Sequence, residues 1–391
     1  MATNTLGVYN PIFYAQEALI QLEKSLGMAG RVHRGYDAER RSFKKGETVS
    51  IRRPSVFSAA SAPSSDQDLA TETVDITLDQ WKEVKFSLTD KELTWTDQRI
   101  IEEHIRPAAV ALADNIDAAL CALYKDVPWY YTLAANGSTA ITDITKIYQI
   151  MFDNKVPVTD FGNLHYMIDG NLQVGFQGLA AFNQQYGAGA AGVETLLRGS
   201  LGTKFGMEIF ANQNVPSHTP GVCADAAGAI DFGSGTTAVY AKGAKMIHVD
   251  GMTSGGTLAI GDTFVITGNT QRYAVTTAVT FSGGEADVYF TPGLAAAVDE
   301  DTVVTAVIPT YNRQNLAFHK NAFALVTAPL SEMGNDLGAK IATVQDPITG
   351  LSIRSRLFYV GDSSLVKVAL DVLYGVKTLN GNLAVRANGQ T

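Results

Sequence analysis

The residues of this chain that could carry chemistry are few, and their spacing decides against most of it. The six histidines stand at 33, 104, 165, 218, 248 and 319, with successive ones 30 or more residues apart. No HxH or HxxxH pair therefore offers two imidazoles to one metal ion from a single strand or helical turn. His104 follows Glu102 and Glu103, which is not the HExxH order of a zinc protease. Cys121 and Cys223 allow one bridge at most and no CxxC site. Gly187, Gly189 and Gly192 fit GxGxxG, whose glycines let a backbone approach a pyrophosphate at a helix N-terminus. Phe182 to Tyr186 ahead of it do not read as a buried strand. Asn212 stands where a ribose-binding carboxylate is needed, and Val193 where a P-loop requires lysine. A Gly/Ala loop before a helix at Val193 is the expectation, and a nucleotide-binding enzyme using Gly187–Gly192 is the alternative. No catalytic residue, cofactor or metal site is expected.

Charge gives the other candidate. The chain of 391 residues has a net charge of −9, yet residues 31–53 hold eight basic side chains against three acidic ones. The eight are Arg31, Arg34, Arg40, Arg41, Lys44, Lys45, Arg52 and Arg53. A basic segment on an acidic body can meet a polyanion or an acidic patch on a partner. No aromatic interleaving or known nucleic-acid module accompanies it, so sequence-specific binding is not expected. Apolar residues make up 46% of the chain, enough for a large core. No basic n-region followed by an apolar run opens the chain, no apolar run approaches the length of a membrane span, and two cysteines suit a reducing compartment.

The elements that would position these groups follow from periodicity. Asn10 and Pro11 suit a helix start, and Ile12, Ala15, Leu19, Leu22 and Leu26 follow at spacings of three and four. Thr48 to Ile51 reads as a strand, and the Ser/Ala/Pro-rich stretch 55–70 as a mobile tip. Val74, Ile76 and Leu78, then Val84, Phe86 and Leu88, alternate with polar residues as one-faced strands. Residues 36–94 thus read as one long two-stranded excursion, better explained if it lies on another molecule than in water. The longest helix should run from Thr96 or Asp97 to Leu123, with a kink or restart at Pro107. Helices are expected over 141–152, 172–182 and 193–198, and strands over 164–168 and 205–211. From about Gly221 to Asn312, short β-runs separated by Gly-rich turns predict a small antiparallel barrel or sandwich, set between segments of different texture.

Two blocks near the C-terminus carry a resemblance. Leu316–Leu330 reads LAFHKNAFALVTAPL, and Ser352–Leu379 opens SIRSRLFYV and closes LDVLYGVKTL. They resemble segments of the coat proteins of tailed double-stranded DNA phages of the P22 type. The order of segments resembles the HK97-type capsid fold in its P22-like form. The resemblance implies an α+β fold with an N-terminal arm at 1–35 and an extended β-hairpin loop at 36–94. It implies a peripheral domain with a spine helix at 95–160 and 331–362, and an axial domain at 161–220, 313–330 and 363–391. The antiparallel β-barrel domain at 221–312 would be the insertion. The function implied is a major capsid protein whose copies form hexamers and pentamers of an icosahedral head around double-stranded DNA. Its partners would be itself, a scaffolding protein, a portal and, by non-specific contact, the packaged DNA, with no membrane. Assembly would occur in the host bacterial cytoplasm and the protein would reside in the virion. The eight basic residues become candidates for scaffold or intersubunit contact. An encapsulin-type nanocompartment shell keeps the fold and changes the role.

Overall fold

The structure is a computed structural model. It describes residues 11–34, 48–52, 61–62, 73–89, 104–133, 139–184, 197–223, 227–231, 239–307, 313–332, 339–345, 351–363 and 365–389. The chain forms two compact units, one of residues 1–120 and 324–379, the other of 121–323 and 380–391.

The first unit is built on a five-stranded sheet centred on the 14-residue strand Leu365–Thr378. That strand pairs antiparallel with Ser352–Val360, which in turn pairs with Lys340–Gln345. It also pairs antiparallel with Gln80–Thr89 over ten positions, from Leu365↔Thr89 to Tyr374↔Gln80. The alternation read in the sequence is present. Val84, Phe86 and Leu88 turn to the sheltered face, and Trp81, Glu83 and Lys85 to the exposed one. The pairing differs from the expected single excursion. Thr48–Arg52 pairs only with Thr73–Thr77, and Gln80–Thr89 belongs to the sheet. Alternation specifies which face of a strand is buried and leaves its partner open. The short pair does not stand free: Val49, Ile51, Ile76 and Leu78 pack with Ala324, Val326, Ala328 and Leu379. A Cβ at Gly375 would stand 2.3 Å from the Thr77 carbonyl oxygen, so the long strand passes this segment where only glycine fits. The expected mobile tip at 55–70 lies outside the described residues except for 61 and 62.

Two helices accompany this sheet. Pro11–Ser25 packs against the strands 340–345 and 352–360 and buries Tyr14, Ala15, Ala18, Leu19 and Leu22. Ile12, expected on that stripe, is half exposed with Phe13 and Ile20. At about 100° per residue it lies only about 20° around the helix from buried Leu19, but it stands in the first turn of the helix. Arg106–Cys121 is the longest α-helix among the described residues. Pro107 sits in its first turn, where a missing N–H costs no helical hydrogen bond; residues 97–103 lie outside the description. With its 3-10 continuation the segment Arg106–Asp126 has the length and hydropathy of a membrane span, which the sequence reading did not count. Half of it is buried within the protein, through Ala109, Leu112, Ala113, Ile116 and Leu120 among others.

The second unit combines a mixed six-stranded sheet with a barrel. The sheet order is Tyr130–Thr132, Ala384–Gly389, Arg313–His319, Leu164–Ile168, Met207–Ala211 and Thr203–Lys204. The helices Ile141–Asp153 and Gly170–Gln177 bury Ile144, Ile147, Met151 and Phe176 with Tyr166, Ile168, Val385 and Ala387. Asp169 caps the second helix by accepting from Leu172 N at 3.1 Å. Of the helix expected at 193–198, only 197 and 198 are described, and they are helical. Gly187–Gly192 lies outside the described residues.

The Gly/Thr-rich region closes into an antiparallel barrel. Around it run Met246–Asp250, Ala286–Thr291, Arg272–Val275, Thr263–Ile266, Val303–Val307 and Ala227–Ile230, which returns to Met246–Asp250. Closure removes the sheet edges that would otherwise be open to pairing. The core is aromatic: the Phe264, Tyr273 and Phe290 rings have centroids 5.1–5.4 Å apart. At Gly228 a Cβ would stand 2.4 Å from the Asp250 carbonyl oxygen, so the closing strand approaches its neighbour too closely for any other residue.

Candidate assembly face and basic segment

The face of the five-stranded sheet opposite Val84, Phe86 and Leu88 carries a polar array. Register places Thr343, Arg354, Asp371 and Glu83 in one row across four strands, and Ile341, Arg356, Ala369 and Lys85 in the next. Asp371 is completely buried at the centre. Arg354 donates to it from Nε at 3.0 Å and Nη2 at 2.5 Å, a bidentate fork. The Trp81 indole N–H donates to its Oδ2 at 3.1 Å. Arg356 Nη2 stands 3.3 Å from the same oxygen and 2.9 Å from Glu83. The Lys85 ammonium lies 5.1 Å from the centroid of the Phe358 ring. One carboxylate thus holds Arg354 and the indole N–H of Trp81, a residue 58% exposed, with Arg356 in an ion pair beside them. Arginine, tryptophan and aromatic edges held rigid are the groups that dominate protein–protein contacts. The face holds no nucleophile beside a base. Sequence reading passed over it, although Arg354 and Arg356 at i, i+2 in a strand, and Trp81 and Glu83 likewise, are the signal of one polar face.

The predicted basic segment is described in part. Arg31 donates from Nη1 to the Gly27 carbonyl oxygen at 2.9 Å, and Arg34 is half-buried just beyond it. Arg40, Arg41, Lys44, Lys45 and Arg53 lie outside the described residues. Arg52 ends a strand opposite Thr73, and its side chain is likewise outside. Of the eight, only Arg31 and Arg34 have side chains among the described residues. The structure shows what holds the start of the segment: Asp117 of the long helix accepts from Gly27 N at 2.6 Å and Ala29 N at 2.9 Å. Burial pushes this carboxyl above its ordinary range despite these donors. Nearby in the same unit, Tyr374 donates to Asn115 Oδ1 at 2.7 Å, and burial pushes its phenol up to about 12.

Four of the six histidines lie against carboxylates. His165 meets Glu208 at 2.9 Å, His248 meets Asp287 at 2.7 Å, and His319 meets Asp160 at 3.3 Å. His319 is buried. His218 is buried between Tyr124, whose hydroxyl is 3.0 Å from Nδ1, and Asp262, 2.8 Å from Nε2. With the tyrosine donating, a neutral ring carries its proton on Nε2 and every group is paired. Among the described residues no three metal-ligating side chains gather. Cys121 and Cys223 are both buried and free.

No family model matches the chain, and no curated protein matches it in sequence. Solved structures do resemble it. A chain from Mycobacterium phage Che8 aligns with a TM-score of 0.51 at 15% identity, over 93% of this chain and 91% of that one. A chain from the capsid structure of the cyanophage P-SCSP1u gives 0.45 at 12% identity over 89% and 85%. One from the asymmetric unit of the bacteriophage PhiM1 mature capsid gives 0.43 at 11% over 88% and 83%. The likeness to the Che8 chain shows a shared α+β fold along nearly the whole of both molecules.

Proposed function

We propose that this chain is the major capsid protein of a phage, a subunit that assembles with copies of itself into hexamers and pentamers of an icosahedral head enclosing double-stranded DNA. The observation that carries the reading is the fold shared with the Che8 phage chain along nearly its whole length. The resemblance of Leu316–Leu330 and Ser352–Leu379 to P22-type coats supports it independently. In this reading the role is mechanical and the chain is no enzyme. Residues 1–35 form an arm, 36–94 an extended loop that includes the paired segments 48–52 and 73–77, and 221–312 an inserted domain. Residues 95–160 with 331–362, and 161–220 with 313–330 and 363–391, are the peripheral and axial parts. The rigid face around Asp371 is a contact surface for neighbouring copies. The basic residues from Arg31 to Arg53 meet a scaffolding protein or a neighbouring subunit, and portal and DNA complete the partners.

Sedimentation of the full chain, expressed alone and with candidate scaffolds, tests this. Particles of megadalton mass are expected; a chain that sediments as a monomer under every condition overturns the proposal.

A further inference from the structure

At the seat of the barrel in the second unit, two arginines lack the partners that buried guanidinium groups need. Arg386 is completely buried on the strand Ala384–Gly389. Its Nη1 donates to the Gly261 carbonyl oxygen at 2.8 Å, while Nε and Nη2 find no acceptor. Arg272 opens the barrel strand Arg272–Val275 and lays its guanidinium 4.4 Å above the Tyr130 ring. Its Nη1 is also buried without an acceptor. Tyr130 is the register neighbour of Arg386, whose guanidinium lies 6.0 Å from the centroid of the Tyr124 ring. Asn388, two residues along on the same side of its strand, has neither amide atom paired.

The local carboxylate does not resolve this. Asp262 acts on Arg386 through its charge. One of its oxygens is taken by His218, and the other accepts from Gly221 N at 2.9 Å and Ala259 N at 2.6 Å. The one carboxylate that acts on Arg386 is thus already engaged. Burial draws Arg386 down to about 10, and the charge of Arg272 acts the same way; the side chain is still charged at neutral pH. Buried N–H groups of a charged side chain are costly to leave unpaired. Water would satisfy the donors and leave the second charge. A compact anion accepts the same N–H groups and offsets that charge. The tyrosine walls and the complete burial of Arg386 favour a monatomic ion over a phosphate ester.

We infer that Arg272 and Arg386, with the Asn388 amide, form a binding site for a compact halide-like anion at the seat of the barrel. The site is independent of the shell reading. Thermal unfolding of the full chain in sodium bromide and in sodium gluconate at equal ionic strength tests it, since gluconate is too large to enter. An anion bound only by the folded state should raise the midpoint by roughly 2–5 °C in bromide over gluconate. The Arg272→Met chain, altered at a half-exposed position, should unfold cooperatively and lose that difference. In crystals grown with bromide, an anomalous peak should lie between the two guanidinium groups. Equal midpoints in the two salts, an undiminished bromide effect in Arg272→Met, or density that shows only water between Arg386 and Asn388 would overturn the site.

Discussion

The exposed face of the five-stranded sheet and the seat of the barrel both set arginines beside a carboxylate, with opposite outcomes. On the sheet, Asp371 accepts hydrogen bonds from Arg354 and Trp81 and forms an ion pair with Arg356, whose Nε and Nη2 make no hydrogen bond. At the barrel, Asp262 spends its oxygens on His218 and two backbone N–H groups, and Arg386 keeps two donors unpaired. The number of charges does not separate the two regions; what the carboxylate is already bonded to does. A carboxylate whose oxygens face arginines makes a rigid charged surface. One consumed by backbone donors pins a loop and leaves the arginine to another ligand.

This contrast can be broken by substitution. The largest effect is expected at Asp371. Its replacement by Ala strands two arginines on a buried acceptor site and should cost about 3–5 kcal/mol, read by denaturant unfolding. The matching change at the barrel, Arg386→Met, should cost less than about 1 kcal/mol, because it removes a partly unpaired buried charge along with its one bond to Gly261. If the two costs were equal, the distinction between the regions would be wrong. Tyr124→Phe should fall between them at about 1–3 kcal/mol, since it leaves His218 Nδ1 buried without a donor.

Asp117→Asn sharpens the comparison through pH. The native carboxyl titrates above its unfolded value, so the folded state takes up the proton first as pH falls. Native stability should therefore rise relative to the Asn variant as pH drops from 7 towards the ordinary carboxylate range; a gap that moves the other way would contradict the burial argument. A small effect on folding is also expected for Trp81→Ala, about 0.5–1.5 kcal/mol for one hydrogen bond at an exposed ring. Its effect on assembly, read by light scattering, should be much larger if the sheet face meets neighbouring copies.

Much of the local structure was legible because local patterns encode it. The alternation of Val84, Phe86 and Leu88 marked a strand, and Leu164–Ile168 and Ile141–Asp153 were readable within a residue. Evenly spaced short β-runs announced the barrel. Partners were not legible. Nothing near Gln80–Thr89 says that it pairs with residues some 280 positions later, and nothing near His218 announces Asp262 or Tyr124. Such pairings are set by the closure of long loops and by shared burial, which leave no local period. The site suffered most. The basic segment was visible as composition, whereas the array around Asp371 combines side chains from three strands brought together only by folding. Ile12 shows the limit of periodicity itself: it shares the stripe of Ala15, Leu19 and Leu22, which are buried, yet in the first turn it is half exposed.

The most direct test of the shell reading is cryo-electron microscopy of the full chain purified with its assembly partners. The account predicts closed icosahedral particles in which the face bearing Trp81, Arg354 and Arg356 lies against a neighbouring copy. Discrete monomers, or shells in which that face is bare, would contradict it.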